Sequence, residues 1–297
     1  MTASESNPEP SNPLGVDGIE YVEYATARPQ ALGAVLEQMG FAPVARHRSR
    51  EVMLYRQGTM NLIVNAHPDM LAGLGATDGT PVIAAIALRV RDAAYAWSHS
   101  TRLGAWPRPA TVSAMELNIP AIQGVGGTLI YFVDRYRDFS IYDVDFVPLP
   151  SVERHPPAVA GLHYFGVVQT IGAERTDAWL DFYGNLFGFT VLPPGTHFGI
   201  LPKGTLLESP CRKFYLQLIE PLPGADDVAW DEGLTRIGLG APDVVAATAA
   251  LKRRGVVFVD REPVQPSDKG ALTQGYLGSV SFELVASHIA AAAEDAR

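Results

Sequence analysis

The chain has 297 residues, 47% hydrophobic and 19% charged, a globular composition with apolar mass for two medium cores. Its 32 acids against 23 bases give a net charge of −9, which excludes the concentrated Lys/Arg surface that nucleic acid or an anionic membrane would need. No apolar run approaches the roughly 18 residues of a membrane span, and the single cysteine, Cys211, allows no internal disulfide and fits a reducing cytoplasm.

The first residues, MTASESNPEPSNP, have neither the basic nor the apolar region of a secretory signal, and 1–14 read as a polar, disordered tail. From Gly15 onward one unit recurs: a strand, an amphipathic helix ending near Gly, then two or three strands. In the first copy GIEYVEYA is the strand and PQALGAVLEQMG the helix, followed by FAPVARHRS, REVMLYRQG and TMNLIVNA. In the second, PVIAAIALRV leads to the helix DAAYAWSHSTRLG, then MELNIPAIQGVGG and TLIYFVDR. The third has GLHYFGVVQT, TDAWLDFYGNLFG, FTVLPPG, FGILPKGT and CRKFYLQLIEP. The fourth has LTRIGLGAPD, VVAATAALKRRG, VVFVDREPV and GSVSFELVAS.

Local chemistry supports these assignments. Trp179, Phe182, Tyr183, Leu186 and Phe187 fall on one helical stripe, with Thr176 or Asp177 as N-cap and Gly188 as stop. Lys252, Arg253 and Arg254 suit the C-terminal end of the fourth helix dipole, with Gly255 just past it. FYLQLI and VSFELV are β-rich runs bounded by turn residues. GVGG (Gly124 to Gly127) lies between strand patterns rather than before a helix, so it reads as a hairpin loop and not a dinucleotide fingerprint. RHRSR (Arg46 to Arg50) reads as a solvated loop.

A single βαβββ unit cannot bury its sheet face alone. The expected fold is therefore α+β: four βαβββ units paired into two domains of curved mixed sheets with helices outside. The domains span 15–150 and 151–297, joined near the Pro-rich PLPSVERHPPAVAG. The concave face of such a sheet is a natural ligand site.

Four βαβββ units resemble the vicinal oxygen chelate superfamily, with its glyoxalase and extradiol dioxygenase folds. Between Gly15 and Glu153 the stretches GIEYVEYA, MGF, HRSREVMLYRQGTMNLIVN, MELNIPAIQGVGG and SIYDVDFV are similar to the amino-terminal domain of 4-hydroxyphenylpyruvate dioxygenases. The second half resembles that family at GLHYFGVV, WLDFYGNLFGF, GLTRIGLGAPDV and GSVSFELV. The resemblance implies non-haem Fe(II) held in the carboxy-terminal domain by two His and one Glu, with open positions for a 2-oxoacid and O₂. Carried over, the first His falls on His163 and the Glu on Glu283, but the second His position holds Arg236. Thr235 stands where the family tends to place a substrate-contacting Gln. In the first half Tyr21 and Ala85 hold the matching places, so a metal is not expected there. Beyond Glu283 and the end of its strand the chain runs SHIAAAAEDAR, short of the family's C-terminal helix.

Arg stays protonated and has no lone pair to give a metal. Three readings follow. In the first, His163, Gln217 (matched to Glu283 by the repeat) and Glu283 hold Fe(II) or another divalent metal with Arg236 aside and His197 as a spare ligand, and the protein is a dioxygenase acting on a 2-oxoacid or related aromatic acid. In the second, Arg236 pairs with Glu283, no metal is held, and the pocket takes a small organic acid or supports non-oxidative chemistry. In the third, the fold serves interaction or assembly. Self-association into a homo-oligomer is compatible with domain pairs of this kind.

Overall fold

A computed structural model describes residues 11–288, apart from 68–69, 71–73, 75–78, 110–116, 138, 202–203, 223–229 and 263. The folded chain begins within the expected tail: Leu14 is buried, and Asn12 Oδ1 accepts from the Val16 amide at 2.7 Å. The expected strand MELNIPAIQGVGG and the segment after Ser287 fall partly outside the described residues.

The first unit runs β1 (Ile19–Ala25), α1 (Pro29–Gln38), β2 (Ala42–His47), β3 (Val52–Gln57) and β4 (Met60–Asn65). The second runs β5 (Val82–Arg89), α2 (Ala93–Arg102), β6 (Pro107–Arg108), β7 (Ala121–Gln123) and β8 (Leu129–Val133). A short helix α3 (Ile141–Asp145) and β9 (Phe146–Pro148) follow, and β9 returns to pair with β2. The third unit is β10 (His163–Thr170), α4 (Thr176–Phe187), β11 (Thr190–Val191), β12 (Thr205–Glu208) and β13 (Tyr215–Ile219). The fourth is β14 (Gly233–Ala241), α5 (Val244–Arg253), β15 (Gly270–Leu272) and β16 (Phe282–Ala286).

Within each half, the first strands of the two units lie side by side and antiparallel, β1 on β5 and β10 on β14. Each also has a parallel neighbour from its own unit: β4, β8, β13 and β16 respectively. The Leu234↔Ile83 bridge between β14 and β5 joins the two halves into one 16-stranded sheet.

Polar side chains start two of the helices. Asp92 and Asp243 each accept an amide from three residues ahead, at 2.8 Å, which satisfies a donor the helix leaves open. At α4 the expected Thr176 or Asp177 cap is replaced. The Glu220 carboxylate accepts from the Thr176 amide at 2.8 Å and its hydroxyl at 2.6 Å, so the cap comes from the end of β13. Gly188 ends α4 in the left-handed region at φ 82°, where a Cβ would be strained.

Two expected strands differ. FGILPKGT is not a strand at its start: Phe198 to Leu201 are irregular, and pairing begins at Thr205. Pro193, Pro194 and two left-handed glycines, Gly195 and Gly199, prevent extended pairing there. VVFVDREPV is reduced to isolated bridges, Phe258↔Thr273 and Arg261↔Val264, outside the named strands.

Period-two alternation sorts the strand residues onto two faces. One face packs on the helices. It carries Val22, Leu62, Ile86, Leu216, Ile237, Phe282 and Leu284, with Leu36, Trp179 and Phe187 from the helices, in one apolar core spanning both halves. On the other face, the N-terminal half is filled by a smaller cluster that includes Tyr21, Leu54, Ile63, Tyr142 and Phe146. The corresponding face of the C-terminal half holds a cavity.

Candidate functional site

The cavity is built in rows across four strands. Gln217, Val168 and Arg236 lie abreast on β13, β10 and β14. The next row is Tyr215, Gly166, Gly238 and Glu283, the last from β16. Below it stand His163, Gly240 and Val285. A bulge between Tyr164 and Gly166 inserts Phe165 as an extra residue and aims it into the cavity beside Gly166.

Gly166 and Gly238 leave the centre of the floor without side chains. Position 166 does not tolerate one: a Cβ there would lie 2.2 Å from the Tyr215 carbonyl oxygen, whereas a Cβ at 238 would meet its neighbours at ordinary contact distance, 3.4 Å or more. Glu283, only 2% exposed, and the buried Gln217 line the space, and Phe165, Phe198 and Tyr215 close it with an aromatic cluster.

Arg236 reaches Glu283 diagonally. Its Nε lies 3.5 Å from Glu283 Oε2, close enough for attraction between the charges. The N–H is not aimed at that oxygen, and Nε is buried without a hydrogen-bond partner among the described residues. Burial pulls the Arg236 guanidinium below its ordinary range, and the Glu283 charge pushes the other way.

His163 is held elsewhere. Its Nδ1 lies 3.1 Å from the Gly161 carbonyl oxygen and must donate to it. In the neutral ring Nε2 is then the acceptor, and it faces the Ser287 hydroxyl at 3.1 Å. The ring covers Gly240, where an added Cβ would meet Nε2 at 2.2 Å. His163 is therefore one row from Glu283 and two from Arg236, about 13 Å from Arg236 along the strand direction. Burial lowers the His163 pKa, opposed by the Gly161 hydrogen bond, which favours the neutral ring.

The structure thus puts Gln217 and Glu283 on the cavity lining, sets Arg236 against Glu283 just behind that lining, and leaves His163 outside it. Thr235 alternates to the opposite face, where it is exposed and its hydroxyl reaches the Val168 carbonyl at 3.4 Å. His197 is exposed on the segment above the cavity. Phe165, Phe198, Tyr215 and the two floor glycines were not singled out by sequence. The glycines had a signal: GLHYFG and GLTRIG place Gly166 and Gly238 at the same point of the repeat.

A facial triad needs two neutral imidazoles and a carboxylate converging on one point. These residues do not fit it. Glu283 is in place, the imidazole at His163 has its acceptor nitrogen turned to Ser287, and Arg236 has no lone pair to offer. Among the described residues no three of His, Cys, Asp and Glu are grouped to hold an ion.

Residues 11–147 match the family model described as hydroxyphenylpyruvate dioxygenase, HPPD, N-terminal. The chain is 42% identical over 265 residues to a 4-hydroxyphenylpyruvate dioxygenase of Pseudomonas sp. (strain P.J. 874), covering 85% of this chain and 73% of that protein. The chain belongs to the 4-hydroxyphenylpyruvate dioxygenase family.

Similarity within this family crosses reaction types. A 3-dehydroshikimate dehydratase of Pseudomonas aeruginosa (strain PAO1) is 32% identical over 259 residues, which are 82% of this chain and 40% of that protein. Among solved structures, a fusion of a xylose isomerase-like TIM barrel with a 4-hydroxyphenylpyruvate dioxygenase superposes with TM-score 0.72 at 26% identity, covering 92% of this chain and 49% of that one. The family and the α+β fold are shared.

Proposed function

We propose that the C-terminal cavity binds the carboxylate of a small organic acid through Arg236, without a facial-triad iron. The observation that carries this reading is the buried Arg236 Nε, which attracts Glu283 but makes no hydrogen bond among the described residues. A buried donor without an acceptor costs about 1–3 kcal/mol, and an incoming carboxylate oxygen removes that cost. Guanidinium has five N–H donors in a planar fork, so it can serve Glu283 and a ligand at once.

In this reading Arg236 holds and orients the acid, Glu283 keeps the guanidinium charged and in place, and Gln217 is the neutral polar group on the same wall. Any reaction at the site is non-oxidative, and Glu283 is the group placed to hold or move a proton.

The family's name supports a second reading, a metal-dependent dioxygenase acting on a 2-oxoacid. Beyond the 42% identity, its support is that Glu283 and Gln217 line one cavity. Calorimetric titration with acetate and with pyruvate, on wild type and Arg236→Lys, separates the readings. Lysine keeps the charge beside Glu283 but loses the fork. The acid-site reading expects binding that Arg236→Lys weakens at least tenfold. Stoichiometric Fe(II) uptake together with O₂ consumption on an aryl-pyruvate would establish the dioxygenase instead.

A further inference from the structure

Ten of the eleven residues lining the cavity stand on strands or at their bulges. The exception is Phe198. Its ring lies 5.1 Å from Phe165, edge to face, and 4.8 Å from Tyr215. What remains of the cavity is about 20 Å³, room for one water-sized group. An aromatic ring needs far more, since an apolar cavity that takes benzene is about 150 Å³.

The backbone that carries Phe198 is loosely tied. Among the described residues, Leu192 donates to the Leu206 carbonyl at 2.9 Å, and Thr196 makes only local bonds to Pro193. Gly195 at φ 87° and Gly199 at φ 67° flank the ring, each in a region that favours glycine. Gly199 lets the segment lie directly on the polar wall, because a Cβ there would sit 2.6 Å from Glu283 Oε1. On its other side, a Cβ at Gly270 would meet the Gly199 Cα at 2.8 Å. The segment is therefore seated by shape between two glycines, with its aromatic ring as the part that enters the cavity.

We infer that Phe198 is the specificity-determining plug of this site: its ring occupies the volume that an aromatic or long-chain acid would fill, and so favours the smallest acids over larger ones. This rests on the Arg236 acid-site reading. A larger acid enters only when the segment swings about Gly195 and Gly199 and its own ring replaces Phe198 against Phe165 and Tyr215. The carboxylate stays with Arg236 in either case, so chain length and ring size are selected by Phe198 and charge by Arg236.

The test titrates acetate and phenylacetate against wild type, Phe198→Ala and Phe198→Trp, with Arg236→Lys made in the wild-type and Phe198→Ala backgrounds. Thermal unfolding without ligand checks that each variant is folded. Phe198→Ala is expected to tighten phenylacetate at least tenfold while changing acetate less than threefold. Phe198→Trp is expected to weaken both acids, and its added indole emission to shift to the red when phenylacetate displaces it. If acids bind in an Arg236-dependent way but Phe198→Ala leaves the ratio of the two affinities unchanged, the plug is refuted and the acid site stands. If neither acid binds any variant, or binding ignores Arg236→Lys, the acid-site reading itself is overturned and the plug with it.

Discussion

Arg236 on β14 and Glu283 on β16 form an ion pair with 3.5 Å between Nε and Oε2, inside a wall where Glu283 is 2% exposed and Arg236 18%. Such a pair is poor evidence of net stability, but half of it is costly. Arg236→Met is expected to destabilise the fold by roughly 3–5 kcal/mol, because it leaves Glu283 buried without its cation. The double variant Arg236→Met with Glu283→Leu is expected to recover most of that loss. Denaturant unfolding of the two single variants and the double gives the coupling energy. A coupling near zero would mean that the two charges do not depend on each other.

His163 is held by two hydrogen bonds and covers Gly240, a row away from Glu283. His163→Ala is expected to cost about 1–3 kcal/mol of stability, through the lost hydrogen bond to the buried Ser287 hydroxyl and the void above Gly240. Acetate affinity should change less than twofold. A loss of bound Fe(II) in this variant, from a wild type that retains it through gel filtration, would return His163 to a ligand role.

The N-terminal half carries a different titration. Glu23 on β1 stands opposite Ala85, is 5% exposed, and has its carboxyl pushed up to about 7 by burial, against the Asn65 hydrogen bond at 2.7 Å and the Arg50 charge. The folded state therefore holds a proton that the unfolded chain releases near its ordinary value of 4.5. Stability from this group is full below about pH 4.5 and is lost as pH rises through about 7, a span worth roughly 3 kcal/mol. Glu23→Gln is expected to flatten the unfolding free energy between pH 5 and 8. An unchanged slope would show that Glu23 is already charged in the folded state.

Sequence carried most of the architecture, because the repeat is written in local signals. Apolar stripes mark α4, β-branched and aromatic runs mark β1, β5, β13 and β16, and left-handed glycines mark helix ends. It failed at Phe198 to Leu201, where the residues have strand character but the neighbouring glycines and prolines prevent pairing, and in VVFVDREPV, whose described residues form only the bridges Phe258↔Thr273 and Arg261↔Val264. At the site, motif position placed Arg236 and Glu283 together, and their contact in the fold agrees with that placement. His163 was assigned by phase from the start of the strand. His163 pairs with Gly240, four residues along β14 from Arg236, and past it the bulge at Phe165 puts Gly166 rather than Phe165 opposite Gly238 and one strand from Glu283. A one-residue bulge leaves no trace in composition or periodicity. Thr235 followed from the same motif but alternates out of the cavity, as a strand neighbour of an inward Arg236 must.

One substitution separates an acid site from a metal site by the sign of its effect. In an acid site, the Glu283 charge repels the ligand carboxylate across the guanidinium they share, and Glu283→Gln removes that repulsion while its amide oxygen can still hold the guanidinium. Calorimetric titration of acetate into wild type and Glu283→Gln, each with and without added Fe(II), should show acetate binding about tenfold tighter in the variant, or ~1.4 kcal/mol, and independent of iron. The contradicting result is a wild type that takes up one equivalent of Fe(II) and binds acid only with the metal present, and a Glu283→Gln variant that loses both.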